Sequence, residues 1–228
     1  MSVSFDKQYV PAVSQDDARQ RVLRNTYWLL ALTMIPTVLG AVLGVMFAIP
    51  VPRGFLGFGI FLAAIFAFQY FIHKNNNSGV GVVILLAFTF FMGIWLTPLL
   101  TRTLGFSNGG SLIMLAFGGT AAILAGMATI ATVTKRDFSM MGKWLFAGMI
   151  GLIVVSFAAI AFQLPMLMIV ISALAIVLFS FYILYDVQQI VNGGQTNYIS
   201  AATMLYIDVF SIFSNLLALL GIGGGSDD

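Results

Sequence analysis

Two aspartates, Asp186 at the end of one long apolar run and Asp208 inside another, stand out in a chain that has no glutamate, no cysteine and a single histidine, His73. The other six aspartates fall in tails or between the runs. A charged carboxylate at the centre of a membrane helix costs about 2.5–3.5 kcal/mol on insertion scales, so such residues face protein or water and carry function. Two carboxylates brought together away from water resist ionising together, and the pair then shares one proton. Protonated, it would clip two helices to each other; deprotonated, it would repel and attract a divalent cation. Asp186 and Asp208 are therefore read as a pH sensor and gate. Tyr182 lies one turn before Asp186, and Ser211 and Asn215 follow Asp208 at helical spacings of three and seven, as supporting polar residues. A calcium ion takes six to eight oxygens. The two carboxylates with Ser211, Asn215 and water would offer only a weak, transient calcium site, and no resident cofactor is expected. His73 and Lys74, at the end of one run, read as an interfacial anchor, with a cationic partner for Asp186 as the other reading. Gln188 and Gln189 follow Asp186, so a plain headgroup position is the alternative for that residue.

Catalysis is not expected. Without cysteine there is no thiol nucleophile, disulfide or zinc–thiolate site. One histidine and no glutamate exclude most hydrolytic constellations. Aspartyl intramembrane proteases place their pair in YD and GxGD contexts. Tyr185-Asp186 matches the first, but Asp208 follows Tyr206-Ile207 with no glycine before it.

The elements that must position these residues follow from composition. Of 228 residues, 60% are apolar and only 8% charged, against roughly 25% charged in soluble domains. So few charges cannot clothe a soluble fold of this size. The chain is expected to be an all-α integral membrane protein. A hydrocarbon core about 30 Å thick requires about 20 apolar residues per helix. Seven stretches qualify: 25–49, 54–72, 80–100, 111–133, 140–162, 164–185 and 200–220. The organisation read from them is a cytoplasmic tail over 1–24, a seven-span bundle over 25–222 and a short tail over 223–228. The basic start is not a cleaved signal, because the following apolar run is too long and no small-x-small site follows.

Lys and Arg set the orientation. Lys7, Arg19, Arg21, Arg24, Lys74, Lys135, Arg136 and Lys143 fall on one side, and only Arg53 and Arg102 on the other. The N-terminus is thus expected inside and the C-terminus outside. A net charge of +2 gives no reason to expect nucleic acid; the bilayer itself and cations are the expected partners. The last span carries Asp208, Ser211, Ser214 and Asn215, is poorly suited to lipid, and is expected at the centre of the bundle. Glycines such as Gly40, Gly44, Gly118 and Gly126 read as points of close helix approach within one bundle.

Several segments are specific enough to resemble a family. FSFYILYDVQQI at the end of the sixth span, the loop NGGQTNYI, and LYIDVFSIFSNLLALLGI in the seventh resemble the Bax inhibitor-1 (transmembrane Bax-inhibitor-motif) family. LRNTYWLLALTM and FGGTAAILAGMATIATVTKRDFSMMG are similar to its bacterial branch. The resemblance runs from Arg21 to nearly the end of the chain. It implies a seven-span bundle whose last helix is surrounded by the other six. It further implies an inner-membrane, pH-sensitive calcium leak gated by an aspartate pair at positions matching Asp186 and Asp208. Some bacterial relatives are instead linked to control of a membrane-anchored protease, which makes a regulatory partner without ion transport the alternative. In some relatives an acid lies within span two and an arginine near its end ties to the sixth-span aspartate. Here that span reads GFGIFLAAIFAFQYFI, and only His73 and Lys74 stand in the arginine's place.

Overall fold

The computed structural model describes residues 15–134, 138 and 140–223. Most of the expected N-terminal tail, nearly all of the C-terminal tail and the basic residues Lys135 and Arg136 lie outside them. The described residues form helices joined by short turns, with no strand among them. In chain order these are α1 (Gln15–Met46), α2 (Gly54–Lys74), α3 (Gly79–Trp95), α4 (Thr97–Leu104), α5 (Gly109–Val133), α6 (Met141–Ala161), α7 (Pro165–Val191) and α8 (Tyr198–Gly223). Six of them are long and apolar enough to cross a membrane. The third expected span is broken at Leu96: α3 and α4 meet at 41°, and only together do they make a seventh. Seventeen residues of α3 rise about 25 Å at 1.5 Å each, short of a full hydrocarbon core.

The side chains are sorted for lipid rather than water. Leu32, Ile35, Val38, Phe66, Phe117 and Val154 are exposed, while Thr26, Thr33, Thr89, Thr120, Thr203 and Asp208 are buried. Buried threonines are tolerated because their hydroxyls bond carbonyls of their own helix, as from Thr120 to Ala116 at 2.7 Å and from Thr203 to Ile199 at 2.7 Å. This is an integral membrane protein.

The helix α1 begins at Gln15, ten residues before the apolar stretch, so much of the expected tail is helical. Its fit against α3 is set by glycine. A Cβ on Gly40 would stand 2.2 Å from the Phe90 carbonyl oxygen, and one on Gly93 would stand 2.1 Å from that of Thr37. Gly118 and Gly126 of α5, by contrast, face open space. At the start of α7, Pro165 takes the first turn, where its missing N–H is no loss, and the turn before it places Gln163 at φ 53°.

The last helix is the central one. α8 packs against α1, α2, α3, α4, α5 and α7, while α6 lies outside on α7 and α2. Asn197 caps its start, with Oδ1 accepting from Ile199 and Ser200 N–H at 3.0 Å each, as capping residues do. The same side chain donates to the Asn76 carbonyl at 2.9 Å and to Asn77 Oδ1 at 2.8 Å. Asn76 in turn donates to Ser200 Oγ at 3.2 Å. The α2–α3 loop is thereby stitched to the first turn of the central helix.

Candidate functional site

Asp208 lies ten residues into α8, about 15 Å along the helix. Tyr206 and Phe210, two residues before and after it, are buried against other helices; because α8 is enclosed by its neighbours on several sides, Asp208 on the opposite face is buried too, at 4% exposed. Asp186 is half-buried near the C-terminal end of α7. The α7–α8 contact brings the two carboxyls near enough to interact electrostatically, and to share a hydrogen bond once a proton lies between them. Asp208 Oδ2 is buried without a donor from the protein. Two ionised carboxylates are both pure acceptors and cannot bond each other; one proton between them supplies the missing donor. Neither Asp186 nor Asp208 is ion-paired to a lysine or arginine among the described residues.

Tyr182, one turn before Asp186, is close enough to interact electrostatically with both carboxyls. The other expected supports stand elsewhere. Asn215 donates to the Ser211 carbonyl at 2.8 Å and Ser214 to the same carbonyl at 3.1 Å, so this polar stripe is satisfied within α8. Asn215 is also about 10 Å along the helix from Asp208. Asn215 thus stands about two turns from the carboxyl pair, with its amide nitrogen turned to its own helix. Among the described residues no group of three or more acids or histidines gathers to hold a metal.

His73 and Lys74 are exposed at the end of α2, and neither is ion-paired to Asp186. The reason lies in the packing: α2 rests on α3, α6 and α8, and α6 separates it from the outer face of α7. The Lys74 ammonium suits a helix C-terminus.

Two residues whose tertiary partners the sequence did not reveal, Tyr206 and Gln188, flank the acids. The Tyr206 hydroxyl is fully buried, stands 2.9 Å from Thr37 Oγ1 and reaches the Thr89 carbonyl at 3.4 Å. It ties α8 to α1 and α3 two residues before Asp208. Gln188, two residues beyond Asp186, accepts the Phe138 N–H on Oε1 at 2.7 Å, joining the end of α7 to the loop before α6. Neither carries a local signal, because the partners are 169 and 50 residues away.

Comparison with known proteins places this arrangement. Residues 19–225 match the family described as "Inhibitor of apoptosis-promoting Bax1". A Pseudomonas aeruginosa protein of uncharacterised role is 36% identical over 95% of this chain and 96% of its own length. The "Modulator of FtsH protease YccA" of Escherichia coli K12 is 35% identical over 88% of this chain and 90% of its own. A second Escherichia coli relative at the same identity and coverage carries the name "Inner membrane protein YccA".

Proposed function

This chain belongs to the Bax inhibitor-1 family, and on that premise we propose that it is a regulatory partner of an FtsH-type, membrane-anchored protease, with no catalysis of its own. The observation that carries the reading is the similarity to a modulator of that protease over nearly the full length of both chains. The geometry supports a means of control. Asp186 and Asp208 join α7 to a helix that touches six others, so separating them shifts the whole bundle. With a proton between them the two helices are clipped; without it, like charges in low dielectric drive them apart.

In this reading the bent α3–α4 pair crosses as one span, giving seven crossings in a bacterial inner membrane. The N-terminus lies in the cytoplasm and the C-terminus outside, as the distribution of Lys and Arg implies. The test is co-reconstitution of the chain with an FtsH-type protease, ATP and a membrane-protein substrate. Degradation should change in rate when the chain is added, and the change should depend on pH for the wild type but not for Asp208→Asn. An unchanged rate at excess chain, with no co-purification of the two proteins, would end this reading.

A second reading is a pH-sensitive cation leak with calcium as cargo. The unpartnered Oδ2 of Asp208 favours it, as a negative centre set into the bundle interior. Vesicles holding the chain alone separate the two readings. Calcium entry that varies with pH supports the leak, whereas vesicles tight to calcium at every pH refute it.

A further inference from the structure

Between α1 and α5 the central helix is left uncovered. The gap is an apolar groove of about 780 Å³, walled by residues such as Met34 and Val38 of α1 and Gly118 and Ala121 of α5, and floored by Phe210 and Phe213 of α8. It runs along α1 from Tyr27 to Met46, roughly 29 Å at 1.5 Å per residue, and α4 lies across its far end. On the preceding turns of α1 lies a polar recess, lined by Asp17, Gln20, Arg21, Arg24 and Asn25.

Arg21 and Arg24 are exposed and not ion-paired among the described residues; the pair in this segment is Arg19 with Asp16, at 3.9 Å. One turn beyond Arg24, Trp28 is 73% exposed, in the manner of aromatic residues at a membrane interface. Tyr27 lines the near end of the groove, two residues beyond Asn25 of the recess. Cations and amide donors at one end, an interfacial tryptophan next and a hydrocarbon slot beyond repeat the order of groups in an amphiphile.

We propose that this flank of the bundle holds an anionic phospholipid, its phosphate against Arg21 and Arg24 and its acyl chains in the α1–α5–α8 groove. The charge selects the headgroup: two guanidiniums with Gln20 and Asn25 as donors outweigh the single carboxylate of Asp17. The groove favours a lipid over a partner's helix. Helices associate in membranes through interhelical hydrogen bonds and close small-residue contacts, and three of the four hydroxyls lining the groove, those of Thr37, Thr120 and Tyr206, are already engaged. Thr37 bonds the Thr33 carbonyl and the Tyr206 hydroxyl, and Thr120 bonds the Ala116 carbonyl. The proposal is independent of the protease reading.

Tryptophan quenching by brominated lipid tests it directly. The full chain carrying Trp95→Phe and Trp144→Phe keeps Trp28 as its one tryptophan. It is reconstituted with phosphatidylcholine and a fraction of either dibrominated phosphatidylglycerol or dibrominated phosphatidylcholine. Brominated phosphatidylglycerol should associate at Trp28 about fivefold more strongly, the factor expected for a net excess of one cation near the surface. Arg21→Gln with Arg24→Gln should bring that ratio to one.

Gly118→Leu and Ala121→Leu, made separately, fill the groove and should lower the ratio with both arginines in place. A Cβ at Gly118 meets nothing within 4 Å, so the longer side chain has room without disturbing the bundle, and matching thermal unfolding in detergent verifies each variant. Equal quenching by the two lipids overturns the proposal and leaves the groove to a partner's transmembrane helix. Selectivity that survives the arginine changes overturns it as well. Selectivity that survives both groove-filling changes reduces it to surface charge alone, which also refutes the two-part site.

Discussion

A buried carboxylate oxygen with no donor costs about 1–3 kcal/mol unless something offsets it, and Asp208 Oδ2 is such an atom. Its neighbour is another carboxyl, so the proton count of the pair decides whether the contact attracts or repels. If the pair holds one proton, stability is greatest while that proton is in place and falls as rising pH removes it. Asp208→Asn offers Asp186 a permanent amide donor, and its thermal unfolding in detergent should lose that pH dependence. Asp208→Ala leaves Asp186 facing a cavity and should be less stable than Asp208→Asn at every pH. A wild-type pH profile in Asp208→Asn would remove the pair from the mechanism. Tyr206 sits beside this site in a different capacity. Tyr206→Phe removes the bond to Thr37 and should lower stability by about 0.5–1.5 kcal/mol, without changing the pH profile, since the carboxyls are untouched.

Helix contacts supply the next scale. α1 and α3 approach closely enough that backbone occupies the space of a missing methyl at Gly40 and Gly93. Gly93→Ala forces a Cβ against the Thr37 carbonyl, and overpacking of this kind costs about 1–3 kcal/mol. Gly126→Ala meets open space and should be neutral or stabilising, by up to about 1 kcal/mol from helix propensity. Equal effects of the two substitutions on unfolding temperature would contradict the packing described here. At the start of α8, Asn197→Ala removes the cap and the two bonds to the α2–α3 loop together. A cap alone is worth about 0.5–2 kcal/mol, so the loss should lie at or above the upper part of that range. Hydrogen exchange at the first turn of α8 would locate it.

For the whole molecule, the bent α3–α4 pair decides how many times the chain crosses the bilayer. With that pair as one span, the chain crosses seven times and its termini lie on opposite faces. Reporter fusions after Asn76 and at the C-terminus should then be active on opposite sides, the first in the cytoplasm. Matching sides would make the pair re-entrant and the crossings six. The same break has a structural consequence already visible: α4 turns aside to pack on α1, α5 and α8, across one end of the groove that leaves part of the central helix uncovered.

The membrane character, the runs that became helices and the two misplaced acids were all legible in the sequence. A bilayer imposes a length and an apolar composition on each crossing element, and both are local properties of the chain. A carboxylate inside such a run is conspicuous for the same reason. The polar demands of Asp208, Ser211, Ser214 and Asn215 also pointed to an interior place for the last helix, and the packing puts α8 there. What could not be read were the partners. Ser211 and Asn215 share a face by spacing, yet their helix's own carbonyl takes the amide. His73 and Lys74 end α2, which rests on α3, α6 and α8, and neither is ion-paired to Asp186 among the described residues. Tyr206 with Thr37, Gln188 with Phe138 and Asn197 with Asn76 join residues 50 to 169 positions apart. Composition specifies how each helix meets lipid; which helix faces which is settled only when glycine contacts, caps and buried hydroxyls are satisfied together in three dimensions.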